Sequence, residues 1–129
     1  MAASLKANCN AYLDNEAHLR NMEGELTDRL NTAGIAYSRN GGNNTLPGLM
    51  SLSFPGKSGE VILHRLDLMG ICISTGSACD SKNTEFSHVL KAIKMDEDLA
   101  FGTVRISLGK YNTQEDIARI ADALIRVVQ

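Results

Sequence analysis

Across residues 5–33 the apolar positions Leu5, Cys9, Tyr12, Leu19, Met22, Leu26, Leu30 and Ala33 recur at helical spacing, with Glu, Asp and Arg between them. The pattern predicts one long helix, or two broken near Asp14-Asn15, with its apolar stripe turned toward a core. Gly34 supplies a left-handed stop, and Ile35-Ala36-Tyr37 is the next strand candidate. Residues 38–44 (SRNGGNN) tolerate turn backbone and read as a loop.

At residues 49–54 the period changes. Met50, Leu52 and Phe54 alternate with Ser51 and Ser53, as in a strand with one buried face, and Pro55-Gly56 ends the run. Ser58 is placed to cap a helix reaching Met69, with Ile62, Leu63, Leu66 and Met69 as its stripe. Gly70 then lets the chain turn into a strand at Ile71-Cys72-Ile73. A shorter helix is expected from Glu85 or Ser87 through Val89, Leu90 and Ile93. Residues 103–108 read as another strand: Val104, Ile106 and Leu108 share one face, so Thr103, Arg105 and Ser107 share the other. Arg105 therefore points away from the core. Thr113 and Asp116 form a capping box that opens a helix carrying Ile117, Ile120, Ala121, Leu124 and Val127 on one side.

The strands are too short, and their connections too varied, for a doubly wound sheet. The expected fold is α+β, a small mostly antiparallel sheet with helices packed on one face and the Arg105 face left open. With 129 residues, 43% of them apolar, the chain suffices for one domain (1–129) and is short for two. A net charge of −2 offers no basic surface for a phosphate backbone, so no nucleic acid is expected as partner. No apolar run approaches the roughly 18 residues that span a bilayer, and the N-terminal residues lack a signal-peptide core; no membrane association and a cytoplasmic location are the expectations.

Three cysteines, Cys9, Cys72 and Cys79, are an odd count at uneven spacing, which fits free thiols rather than a disulfide framework. Cys9 lies on the first helical stripe and Cys72 between two isoleucines, so both are expected to pack in the core. Cys79 differs: residues 74–84 (STGSACDSKNT) have no helical or strand period and little to bury, so its thiol is expected to be accessible. Asp80 lowers and Lys82 raises the tendency of this thiol to lose its proton, leaving the thiolate a minor fraction at neutral pH. A zinc site is poorly supported, because His64 and His88 stand at no ligand spacing from Cys72 or Cys79. His88 reads as a helix-surface or interface residue rather than a base, and Asp96-Glu97-Asp98 as a solvated acidic turn. Arg105 has two readings that spacing leaves open: an exposed arginine paired with a nearby acid, or a rigidly mounted fork that receives a carboxylate.

Thr75-Gly76-Ser77-Ala78-Cys79, then Ser87-His88-Val89-Leu90, Asp98-Leu99-Ala100 and Val104-Arg105-Ile106-Ser107-Leu108-Gly109, together resemble the C-terminal (small) domain of a cysteine desulfurase. That is a pyridoxal-phosphate enzyme of the class V aminotransferase family. Leu46-Pro47, Leu52-Ser53-Phe54 and Gly59-Glu60 resemble the same family in the same order, so the likeness covers about residues 19–128. The Gly-Ser-Ala-Cys form is similar to the long-loop branch.

The resemblance implies that the Cys79 thiolate takes the sulfur of L-cysteine as a persulfide, releasing L-alanine, while Arg105 holds the substrate carboxylate. The persulfide would pass to a sulfur-acceptor or scaffold protein for iron–sulfur cluster or thio-cofactor assembly, and a homodimer is the family's common assembly. Departures also carry meaning. The family's cofactor lysine follows a histidine, and here His18, His64 and His88 are followed by Leu19, Arg65 and Val89. The large domain that holds pyridoxal phosphate is thus expected to be absent, no cofactor is expected on this chain alone, and the chain alone is expected to be inactive. Asp80, Ser51 and Phe86 stand where the family commonly has a hydroxyl residue, asparagine and proline. Two rival readings are a non-catalytic acceptor-binding module and a stand-alone sulfur-relay domain.

Overall fold

The computed structural model describes residues 1–42, 44–76 and 92–129. Among these, two helices, α1 (Ala2–Asn10) and α2 (Tyr12–Thr32), lead into strands β1 (Ser38–Asn40) and β2 (Leu49–Ser53). Helix α3 (Gly59–Asp67), strand β3 (Ser74–Thr75), the short helix α4 (Glu97–Phe101), strand β4 (Thr103–Ser107) and helix α5 (Gln114–Val128) follow. The strands form one antiparallel sheet in the order β1-β2-β4-β3. Its register sets Met50 opposite Ile106 and Leu52 opposite Val104. These four side chains, each at most 2% exposed, meet Met22, Leu26 and Leu30 of α2, Ile62 and Leu66 of α3, and Ile117 and Leu124 of α5. The α+β expectation is met, with the three longer core-forming helices contributing to a single apolar layer.

Local signals placed most of the boundaries. Gly34 turns the chain at φ +70° after α2, and Gly70 does the same at φ +73° after α3. The Ser58 hydroxyl accepts from the Val61 N–H at the start of α3. The Thr113–Asp116 box is complete: each side chain accepts from the other's backbone N–H. Gly59 and Gly102 stand where two backbones press together. A Cβ on Gly102 would run into the carbonyl oxygens of Phe54 and Lys57.

Other expectations are corrected. The first break falls at Ala11 rather than near Asp14-Asn15, and α1 buries no residue, so Leu5 remains exposed, as does Tyr12 at the start of α2. Cys9 is exposed with them; its helical stripe has no element of the described chain lying over it. Cys72 is exposed too. Residues 71–73 run outside the paired strand, and an extended run alternates: Ile71 is buried and Ile73 packs on the core, while Cys72 between them turns out. The strand expected at residues 35–37 forms instead at Ser38–Asn40, within the expected loop. The acidic turn at Asp96 starts a helix, with the Asp96 carboxylate accepting from the Asp98 N–H. The helix expected at residues 85–93 lies largely outside the described residues.

Glu23 explains why polar residues take up β1. It is 2% exposed, although the helical pattern left it off the apolar stripe. Its Oε1 accepts from the Gly48 N–H at 2.6 Å, and its Oε2 from Arg39 Nη2 at 2.7 Å. Arg20 Nη1 stands 3.5 Å from the same oxygen and Arg20 Nη2 donates to the Thr45 carbonyl at 2.6 Å. A buried carboxylate requires such partners. They tie α2 to both ends of the β1–β2 connection, which holds β1 in register despite its weak strand propensity.

Candidate functional site

The sheet face opposite the helices is polar. One cross-strand row reads Asn40 on β1, Ser51 on β2, Arg105 on β4 and Ser74 on β3, each directly paired with the next. Arg105 is exposed, whereas Asn40, Ser51 and Ser74 are half-buried. The neighbouring row carries Ser38, Ser53 and Thr103. Ser53 and Thr103 are buried, at 0% and 3% exposure, because α4 and Met95, two residues before it, close that end of the face. Thr103 Oγ1 donates to the Leu99 carbonyl at 2.9 Å, and Met95 Sδ lies 3.7 Å from both the Ser53 and Thr103 hydroxyls.

Arg105 stands where the alternation placed it. Its neighbours Val104 and Ile106 are buried at 0% and 2%, so the strand is anchored from below and the guanidinium is carried on rigid backbone. No acid pairs with it among the described residues: the ion pairs there are Arg20–Glu23, Arg29–Glu25 and Arg39–Glu23. That favours an arginine whose donors are open to a ligand over one neutralised in place. Cys79, the nucleophile expected from sequence, lies outside the described residues, as do Asp80, Phe86 and His88. Cys72 borders a separate cleft of about 190 Å³ with Asp116, Arg119 and Ile120. Among the described residues no cluster of three or more His, Cys, Asp or Glu could hold a metal ion.

Pyridoxal phosphate needs a lysine amine in a shielded pocket. The described lysines, Lys6, Lys57, Lys94 and Lys110, are all exposed, and Lys110 lies over the Tyr111 ring. These residues do not fit the cofactor on their own. The sequence placed Arg105 on this face but not Asn40, which falls in the expected loop. Asn40 Nδ2 donates to Ser51 Oγ at 3.2 Å and Ser53 Oγ at 2.8 Å. Only the strand pairing across 11 and 13 residues reveals it. No helix among the described residues is long and apolar enough to cross a membrane.

The family model for aminotransferase class-V matches residues 5–120. Cysteine desulfurase IscS of Dictyoglomus turgidum is 40% identical over 111 residues, covering 86% of this chain and 26% of that protein. Cysteine desulfurase IscS 1 of Archaeoglobus fulgidus is 36% identical over 111 residues, 86% of this chain and 29% of that one. Among solved structures, a NifS-like protein superposes with a TM-score of 0.82 at 26% identity, over 98% of this chain and 31% of its own. The NifS-like protein of Rickettsia africae, at 24% identity and a TM-score of 0.77, supports the same fold. The chain thus spans between a quarter and a third of the length of these similar proteins.

Proposed function

Because the chain belongs to the class-V aminotransferase family, we propose that it is the C-terminal small-domain part of a cysteine desulfurase of the long-loop branch. In this reading Arg105 clamps the carboxylate of L-cysteine. Cys79 attacks the substrate sulfur as a thiolate and keeps it as a persulfide, and L-alanine is the other product. Pyridoxal phosphate and the lysine that carries it belong to a large domain outside these 129 residues. This chain's own share is the carboxylate clamp and the sulfur-accepting thiol, and by itself it does not desulfurate cysteine. The persulfide then leaves for a sulfur-acceptor or scaffold protein, and the complete enzyme works as a homodimer.

The observation that carries the reading is Arg105: a guanidinium on a rigid central strand, open to solvent, with no acid beside it among the described residues. A fork of parallel N–H donors held this way matches the two oxygens of an amino-acid carboxylate.

The test uses the purified chain alone and the same chain joined to the large domain of the Dictyoglomus relative. With pyridoxal phosphate and L-cysteine, the chain alone should release no sustained alanine. The joined protein should turn over, lose turnover with Cys79→Ser, and show a greatly raised KM with Arg105→Ala. Sustained alanine release by the chain alone, or an Arg105→Ala variant with unchanged KM, overturns the reading.

A further inference from the structure

We propose that Ser51 is a second, specificity-determining donor for the carboxylate at Arg105, and that Asn40 is the residue that positions it. The inference rests on the clamp proposed above and assigns the group beside it.

The direction of the hydrogen bonds follows from one fixed end. The Leu99 carbonyl can only accept, so at 2.9 Å it takes the single hydroxyl proton of Thr103. Met95 Sδ, at 3.7 Å, is a much weaker acceptor and does not compete. The Ser53 and Thr103 hydroxyls stand 2.7 Å apart and need one proton between them. Thr103 has none left, so Ser53 donates it. Ser53 then offers only lone pairs toward β1, which requires the NH2 end of the Asn40 amide to face it, and Asn40 Nδ2 lies 2.8 Å away. The second proton of that NH2 goes to Ser51 Oγ at 3.2 Å.

Ser51 is therefore an acceptor toward β1. Its own proton finds no acceptor among the described residues and is left for the opposite side, where its direct cross-strand partner is Arg105. Side chains paired in this way have Cβ atoms about 5 Å apart on one face. The hydroxyl proton and the guanidinium donors thus serve one ligand. A ligand with only acceptors, a carboxylate, satisfies both, whereas an amide or amine nitrogen would leave its own protons facing other donors. Ser74, on the far flank of Arg105, has no such fixed polarity in the structure.

The chain is titrated with L-alanine while the Arg105 Nε–H and Ser51 amide resonances are followed by NMR. Ser51→Ala and Asn40→Ala should each weaken binding by about tenfold or more, the loss of one hydrogen bond to a charged group. In the Ser51→Ala background, Asn40→Ala should cost nothing more, a coupling that a merely structural role for Asn40 would not produce. Asn40→Asp keeps the side-chain shape, guarding against a folding failure of the alanine variant. Its carboxylate draws the Ser51 proton toward β1, so it too should weaken binding. Parental affinity in Ser51→Ala, independent multiplication of the Asn40 and Ser51 effects, or parental affinity in Asn40→Asp would overturn the inference and leave the clamp standing. Parental affinity in Arg105→Ala would remove both.

Discussion

Glu23 of α2 and Arg39 of β1 form a 2.7 Å ion pair with the carboxylate 3% exposed, so a strand of three polar residues is fastened to a helix sixteen residues earlier. Truncating one partner of a buried charge pair leaves the other uncompensated. Glu23→Ala should therefore destabilise the chain by about 3 kcal/mol. Urea denaturation checks this, and a loss no larger than that of an exposed substitution such as Glu25→Ala would contradict it.

Gly102 should tolerate no side chain. A Cβ there would meet the carbonyl oxygens of Phe54 and Lys57, both backbone atoms, and Phe54 N–H already donates to the Gly102 carbonyl at 3.1 Å. Gly102→Ala is expected to cost about 3 kcal/mol or to prevent folding, whereas Gly24→Ala, with open space around the new carbon, should not. Circular dichroism melts of the two variants make the comparison.

The capping box makes stability depend on pH in acid. The Thr113 backbone N–H, followed by the Asn112 side chain, holds the Asp116 carboxyl below its ordinary range. A folded-state value below the unfolded one means the contribution is complete above the unfolded value and fades as pH falls through the folded value. Asp116→Asn should flatten this part of the acid-denaturation profile, leaving the profile near neutral pH parallel to the parent's. Thr113→Ala should cost about 1 kcal/mol at neutral pH.

Arg105 separates stability from function. Its side chain is exposed and makes no ion pair among the described residues, so Arg105→Ala should change stability by no more than about 0.5 kcal/mol. Its neighbour Val104, at 0% exposure, behaves in the opposite way: Val104→Ala should cost about 2 kcal/mol. An Arg105→Ala variant as damaged as Val104→Ala would mean that the guanidinium is part of the scaffold.

Residues whose state depends on near neighbours were legible in the sequence. The outward direction of Arg105 follows from alternation in a strand, and the caps at Ser58 and Thr113 are closed within three residues. Gly34 and Gly70 also required nothing distant. The misreadings share the opposite feature. Cys9 and Leu5 sit at helical spacing, but a stripe is buried only where another element covers it, and among the described residues none does over α1. Cys72 has apolar neighbours on both sides, yet in extended chain those neighbours face away from it.

The sequence by itself determined the periods of the long elements, their caps, and the face from which Arg105 projects, because backbone geometry repeats over a few residues whatever lies beyond. Tertiary structure decided that Glu23 is buried, that residues 38–40 pair as a strand, and that Asn40 reaches Ser51 and Ser53. Each of these depends on partners 11 to 25 residues away, and a buried polar group is stable only when all of its partners arrive together.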